Sequence, residues 1–308
     1  CRGSFTYVRV MLVLLLAEML LKEGKTATQR DIFYRLKGLF PIFKNATQVN
    51  NAICLAAIFM HTPRYGLGMT CSSRGAFAGS FLIQENMSSV GMLDASQCTT
   101  GGGFQIPGDP NAVLSYVFIG RCECILIIEK DAVFQRLVED RIFDTIPCAL
   151  ITGKGFPDVC TRMFASCLSK AMPNAPVLGM ADWNPSGVSV LSVLKNGSDN
   201  GVDEAKGYTL PGIHWFAAKW NALQNMRQAH FQPLSSRDRR RIETLNSSGK
   251  IPEDWSTELE IMRAGNIKAE IEAITKATHA PAGFTSLVSA ELRCFLDQLQ
   301  SAQQLQQS

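Results

Sequence analysis

Three short apolar runs, spaced through the middle of the chain, constrain its fold more than any other feature. They are Cys124-Ile-Leu-Ile-Ile128, Cys148-Ala-Leu-Ile151 and Val177-Leu-Gly-Met-Ala181, and each leads into a stretch with helical periodicity. Runs that are apolar at every position belong to strands buried on both faces, and strand-helix alternation makes such strands parallel, with helices covering the sheet. The first run ends on Glu129 and the third on Asp182. In an open parallel sheet, ligands bind in the crevice outside the carboxyl ends of the strands, so two acids delivered there define a candidate site. Acids gathered in this way usually hold a hard divalent cation.

The first third reads differently. A helix from about Val8 to Lys22 is expected to stop at Gly24, which suits a left-handed C-terminal residue. Thr28 has the character of an N-cap with Asp31 three residues on, which starts a second helix running to about Lys37. Asn45-Ala-Thr47 precedes a third, Val49 to Met60. Gly66, Gly68, Gly75 and Gly79 then punctuate strand-like runs, of which Phe77 to Ile83 is the clearest, and a short hairpin is expected there. Helix, turn, helix, helix and hairpin is the layout of a winged-helix DNA-binding domain, although small helical bundles share it. Residues 86–111 carry little periodicity and contain Thr99-Thr-Gly-Gly-Gly103, so the domain boundary is expected there. After the third apolar run come a buried patch at Ile213-His-Trp-Phe216, charged helices over Ser235–Asn246 and Glu258–Lys276, and a frayed Gln-rich end beyond Leu299.

Composition excludes several classes. With 308 residues, 46% of them hydrophobic and 19% charged, the chain has the make-up of a soluble globular protein. A net charge of +3 permits a polyanionic partner without demanding one. Ten cysteines without a repeated C-x-x-C, and four histidines far apart in sequence, argue against a zinc module and against a disulfide scaffold. Reduced thiols in a nuclear or cytosolic protein are expected instead. The run Met11 to Leu21 invites a membrane or signal reading, but it is short, Glu18 interrupts it and no small-residue cleavage site follows. It is read as an amphipathic core helix, with no membrane partner. Cys1 stands where an initiating methionine would be, so further N-terminal sequence is expected.

Asp182-Trp-Asn-Pro-Ser-Gly187 is either an ordinary strand-turn-helix corner or a pair of ligands at positions 182 and 184 facing the crevice. Pairing it with Glu129-Lys-Asp131 at another strand end favours the second reading. Thr152-Gly-Lys-Gly155 lacks the spacing of a nucleotide P-loop, and no ATPase site is apparent. The basic run Arg237-Asp-Arg-Arg-Arg241 is a solvated helix face or a phosphate contact.

Taken in order, Leu126-Ile-Ile-Glu-Lys130, Thr152-Gly-Lys-Gly-Phe-Pro-Asp158 with Thr161-Arg162, and Asp182-x-Asn-Pro-x-Gly187 resemble the Toprim domain of the topoisomerase VI A-subunit family. The eukaryotic meiotic branch, whose members make the double-strand breaks that initiate recombination, is the closer likeness. Arg30-Asp-Ile-Phe-Tyr34 is similar to the family's catalytic-tyrosine motif and Ser72-Ser-Arg-Gly75 to its wing element. Leu210-Pro-Gly-Ile-His-Trp215 and Met262 through Ile274, including Lys268-Ala-Glu-Ile271, extend the likeness over nearly the whole chain.

The resemblance implies a two-domain α+β and α/β architecture. An N-terminal winged-helix (CAP-like) domain, residues 1–100, would carry the tyrosine. A Toprim domain with a mainly parallel sheet and C-terminal helical additions, residues 112–308, would follow it. It also implies that Tyr34 attacks a phosphodiester of double-stranded DNA, leaving a 5′-phosphotyrosyl link and a free 3′-hydroxyl. A phenol, with an ordinary pKa near 10, is a poor nucleophile at neutral pH and needs a positive neighbour or a base. Arg30, four residues earlier, lies on the same helix face and would stabilise phenolate and phosphate together. Arg74 and Lys154 would contact DNA. Glu129, Asp182 and Asn184 would hold Mg²⁺, with Glu129 alternatively a general acid; Asn184 stands where the commonest family pattern has a second aspartate, which costs the site one negative charge. A homodimer is implied, in which the tyrosine of one protomer meets the acids of the other. The resemblance further implies a topoisomerase VI B-like partner and a nuclear location. Two other readings stay open: the catalytic half of an ATP-dependent topoisomerase that relaxes supercoils, and a non-cutting DNA-binding scaffold with a degenerate metal site.

Overall fold

The computed structural model describes residues 2–70, 72, 74–85, 91–98, 101–197, 207–216, 219, 223, 231–272 and 283–307. Its N-terminal unit is built from α1 (Arg2–Lys22), α2 (Gln29–Leu39) and α3 (Ala46–Phe59). The expected stop and start signals are used. Gly24 takes a left-handed φ of 61° after α1, Thr28 Oγ1 accepts from Asp31 N at 3.2 Å, and Asn45 Oδ1 accepts from Gln48 N at 3.0 Å. A two-residue parallel pairing of β1 (Ala27–Thr28) with β2 (Met69–Thr70) closes the unit. Its core is small: Val13 and Leu20 of α1, Ile32 and Leu36 of α2, and Val49, Ile53 and Ala56 of α3. The helix read as core buries only one stripe, because Tyr7, Leu15, Met19 and Leu21 stand exposed on α1. By length and composition alone, Ser4–Lys22 is long enough and apolar enough to cross a membrane.

The hairpin expected over Phe77–Ile83 is not formed. Ala76–Gly79 (β3) leaves the helical unit and becomes a strand of the large central sheet, while Phe81–Glu85 (β4) lies in a separate antiparallel sheet between β5 (Leu93–Asp94) and β7 (Tyr116–Gly120). The reason is burial. All four residues of β3 are inaccessible, and a strand apolar on both faces needs cover on both sides, which a wing cannot give. Gly79 makes the switch between sheets: its φ is 136°, and a Cβ there would lie 2.2 Å from the carbonyl oxygen of Cys148.

The central sheet is completed by β6 (Phe104–Gln105), β8 (Cys124–Ile128), β9 (Cys148–Thr152), β10 (Val177–Met180) and β11 (His214–Phe216). Its strand order is β11-β10-β8-β9-β3-β6, with the first four parallel and the last two joined by antiparallel pairings. Pro110–Leu114 (α4), Asp131–Glu139 (α5), Ile142–Thr145 (α6), Val159–Ala171 (α7) and Pro185–Asn196 (α8) contribute to its cover. From β8 the chain moves through α5 and α6 to β9 on one side, and from β10 it moves through α8 to β11 on the other. Neighbouring strands whose connections diverge in this way open a crevice at their carboxyl ends, so the switch point falls between β8 and β10.

Beyond the sheet, α9 (Ser236–Ser247) and α10 (Glu253–Gly265) replace the two charged helices expected. The second ends earlier than its charge pattern suggests: Asn266 adopts a left-handed φ of 50°, and Gln232–Pro233 (β12) pairs with Ile267–Lys268 (β13). The remainder of the expected helix, from residue 273, lies outside the described residues. The Gln-rich end is helical rather than frayed, as α11 (Gly283–Gln307). The hydrophobic core of the first unit ends at Met69 and that of the sheet unit begins at Ala76, so the strands within residues 86–111 belong with the sheet unit, β6 in its central sheet and β5 in its smaller one.

Candidate functional site

The sequence-predicted residues gather in two places. Tyr34 lies on the exposed side of α2 with 57% of its surface accessible, and the Arg30 guanidinium sits 5.9 Å from the centre of its ring. An exposed cation–π contact contributes only about 0.5–1 kcal/mol, so the guanidinium can turn toward a phosphate at little cost. A groove of about 470 Å³ runs past the phenol, lined among others by Gln29, Arg30, Tyr34, Asn50, Arg74 and Asp158. Arg74 thus faces the same groove as Tyr34 from a different part of the chain. Asp158, which caps α7 by accepting from Thr161 N at 2.9 Å, brings the sheet unit to its wall.

The strand-end acids form the second place. Glu129 follows β8 and Asp182 follows β10, on adjacent parallel strands, and Asp182 N donates to Glu129 Oε2 at 3.2 Å. Asp182 Oδ1 accepts from Ile271 N at 2.9 Å. The corner behind the acid is tight, because a Cβ on Gly187 would lie 2.3 Å from the Asp182 carbonyl oxygen. Burial, reinforced by the charge of Asp182, pushes the Glu129 carboxyl up to about 7. Burial raises Asp182 as well, against the opposing effects of the Ile271 amide and Lys130.

Two carboxylates shielded from water and held together against their own repulsion are the hard oxygen donors that a divalent ion such as Mg²⁺ neutralises, and in that respect these residues fit one. Asn184 fits less well. Its Oδ1 is taken up as the N-cap of α8, accepting from Gly187 N at 2.8 Å, and its Nδ2 lies 3.5 Å from Asp182 Oδ2. Lys154 stands in the loop after β9 with a left-handed φ of 52°, and its ammonium lies 3.4 Å from Asp131 Oδ1. The lining of the Tyr34 groove includes none of Glu129, Asp182 and Asn184.

Sequence reasoning gives no role to Lys130, Glu270 or Glu272, which complete this cluster. Lys130 Nζ lies 2.5 Å from Glu272 Oε2, 3.4 Å from Glu270 Oε2 and 3.8 Å from Asp182 Oδ1. Burial alone would lower the Lys130 ammonium, but the hydrogen bond to Glu272 and the charge of Asp182 outweigh it and raise it. The backbone brings these groups together: Ala269 N donates to Trp183 O at 3.0 Å, and the buried Trp183 indole donates to Glu258 at 2.7 Å. In the sequence Lys130 appears only as a neighbour of Glu129 in the Leu126–Lys130 motif, and Glu270 and Glu272 only within the Met262–Ile274 stretch, far from either acid along the chain.

A parallel sheet carrying strand-end acids at its switch point, joined to a helical unit that exposes a tyrosine beside two arginines, is the organisation of the tyrosine-bearing half of a type IIB topoisomerase, with its Toprim domain. Comparison with known proteins agrees. Residues 124–282 match the Toprim domain of the topoisomerase 6 A-subunit/Spo11 family, and residues 6–69 match the type IIB DNA topoisomerase family. The chain is 35% identical to meiotic recombination protein SPO11-2 of Arabidopsis thaliana over 269 residues, 87% of this chain and 69% of that protein. It is 30% identical to meiotic recombination protein SPO11 of Homo sapiens over 273 residues, 86% of this chain and 66% of that protein. It is also 32% identical to the A3 subunit of DNA topoisomerase 6 from Oryza sativa subsp. indica over 269 residues, 85% of this chain and 58% of that protein. The chain belongs to the topoisomerase 6 A-subunit/Spo11 family.

Proposed function

We propose that this protein cleaves double-stranded DNA by tyrosine transesterification and thereby initiates meiotic recombination. The observation that carries the reading is the convergence of Tyr34, Arg30 and Arg74 on one groove in a chain of this family. Tyr34 Oη, losing its proton, attacks the phosphorus; the new bond is P–O(Tyr34), the bond to the 3′ oxygen breaks, and that oxygen takes up a proton to become a 3′-hydroxyl. Arg30 and Arg74 neutralise the phosphate oxygens as charge builds on them. Glu129 and Asp182, with the remaining lone pair of Asn184, would hold Mg²⁺. When bound, the ion supplies charge neutralisation to the phosphodiester backbone. The alternative role for Glu129, exclusive of metal ligation, is to deliver a proton to the leaving oxygen, for which burial in the metal-free site raises its carboxyl to about 7.

Residues 1–100 and 112–308 are assigned as the tyrosine-bearing and Toprim domains, with β3, β4 and β5 lent by the first to the second. The helical unit would engage DNA as a winged-helix-like element that lacks its own wing strands. Lys154 and Arg74 would hold phosphates, so binding should be salt-sensitive and weakly sequence-specific. Since none of the acids lines the Tyr34 groove, a complete site would be made by a homodimer that joins one protomer's tyrosine to its partner's acids. The exposed apolar side of α1 is the place we assign to a B-like partner. A role in meiotic recombination, after which the SPO11 relatives are named, would put the protein in the nucleus.

Tyr34→Phe tests the assignment: covalent protein-DNA adducts should vanish while folding and DNA binding persist, and undiminished adducts would refute the role of Tyr34. The likeness to the A3 subunit of a topoisomerase 6 favours a second reading, in which the chain relaxes supercoils with an ATP-hydrolysing partner. ATP-dependent strand passage by the purified pair would decide for it.

A further inference from the structure

The acid cluster holds its own cation. Asp182, Glu270 and Glu272 surround the Lys130 ammonium at 3.8, 3.4 and 2.5 Å, and the side chain is mostly shielded from solvent. Two of these carboxylates come from the segment around Ile271, whose backbone N–H is bonded to Asp182 itself. The lysine therefore stands between the strand-end acid and a piece of chain more than a hundred residues away. Among the described residues, no three acidic, histidine or cysteine side chains are disposed to share a metal ion.

We infer that Lys130 is a resident cation of this centre: its ammonium fills the place beside Asp182 where a second divalent ion would sit, and it ties Glu270 and Glu272 to the strand-end acids. This rests on the reading of Glu129 and Asp182 as the cation site. The charge balance explains the arrangement. Four carboxylates gather about Lys130 and the strand ends, and without the ammonium one divalent ion would balance only half of their charge. With it, the Glu129–Asp182 pair needs only a single ion. Asn184 suits the same scheme, because a second metal would want an acid there and a lysine does not. Lys130 acts through Asp182, which makes it a positioning residue.

Titration of the full-length protein with Mn²⁺, followed by electron paramagnetic resonance, separates the possibilities. The wild-type chain should bind one ion. Lys130→Met should bind two ions, or the first about tenfold more tightly, as Glu270, Glu272 and Asp182 close on an ion in place of the ammonium. Lys130→Arg, which keeps the charge, should restore the single-ion behaviour. A folded Lys130→Met chain with wild-type stoichiometry and affinity overturns the inference. If that variant fails to fold, Glu272→Gln serves instead: the ammonium, freed from its shortest contact, should compete for Asp182 and weaken Mn²⁺ binding about tenfold, and unchanged affinity overturns the inference. A wild-type chain that binds no Mn²⁺ would instead sink the metal assignment of Glu129 and Asp182.

Discussion

The helical unit and the sheet unit solve opposite problems. The strands of the sheet unit, such as Cys124–Ile128 and Cys148–Thr152, are buried at every position, and the acids emerge only where these strands end. The helical unit keeps a thin core and leaves Tyr34, Arg30 and much of the apolar surface of α1 in the open. The lesson concerns what each group has to do. Carboxylates that repel each other stay together only if a rigid frame holds them, whereas Tyr34, in the nucleophilic role proposed above, has to be presented outward to meet DNA.

If this contrast is right, the sheet should dominate the energetics. Leu150→Ala, at a fully buried position of β9, should cost about 2–5 kcal/mol in denaturant unfolding, and a loss below about 1 kcal/mol would mean that the frame is softer than its burial implies. Next in size is an acid held against its preference. The Glu129 carboxyl, at about 7 when folded against an ordinary 4.5, favours the folded state fully below pH 4.5, and this contribution is lost as the pH rises through 7. Metal-free Glu129→Gln should therefore be more stable than the parent at about pH 8, by on the order of 3 kcal/mol at most, with the difference vanishing near about pH 4. Unfolding curves at both pH values check this; a difference that does not change with pH would refute the strained-acid picture.

Smaller effects belong to the helical unit. Thr28→Ala removes the cap of the tyrosine-bearing helix and should cost about 1 kcal/mol, with helix loss near Tyr34 visible by amide exchange. Leu15→Ala, on the exposed side of α1, should change stability by less than about 0.5 kcal/mol while weakening capture of a B-like partner. A large destabilisation there would show that α1 is core after all.

The sequence disclosed those features whose physics is local. Strands buried on both faces announce themselves as continuous apolar runs, and Thr28, Asn45 and Gly24 signal helix ends through their own side chains or lack of one. Glu129 and Asp182 were legible because each closes such a run. Local pattern was silent on β3, since an apolar run before a glycine looks the same whether it forms a wing or joins a distant sheet. It was equally silent on Lys130 and Glu272, which meet only because the chain after α10 bridges to Trp183. Asn184 has the position of a ligand in the sequence, yet the helix that follows it claims its oxygen first.

β3 also has a mechanical meaning. It joins the unit that would grip DNA to the central sheet through an antiparallel ladder with β9, from Ala76 opposite Thr152 to Gly79 opposite Ala149. The bonds of such a ladder lie across the strands. A pull transmitted along β3 therefore loads all of them together in shear, and does not peel them apart one at a time.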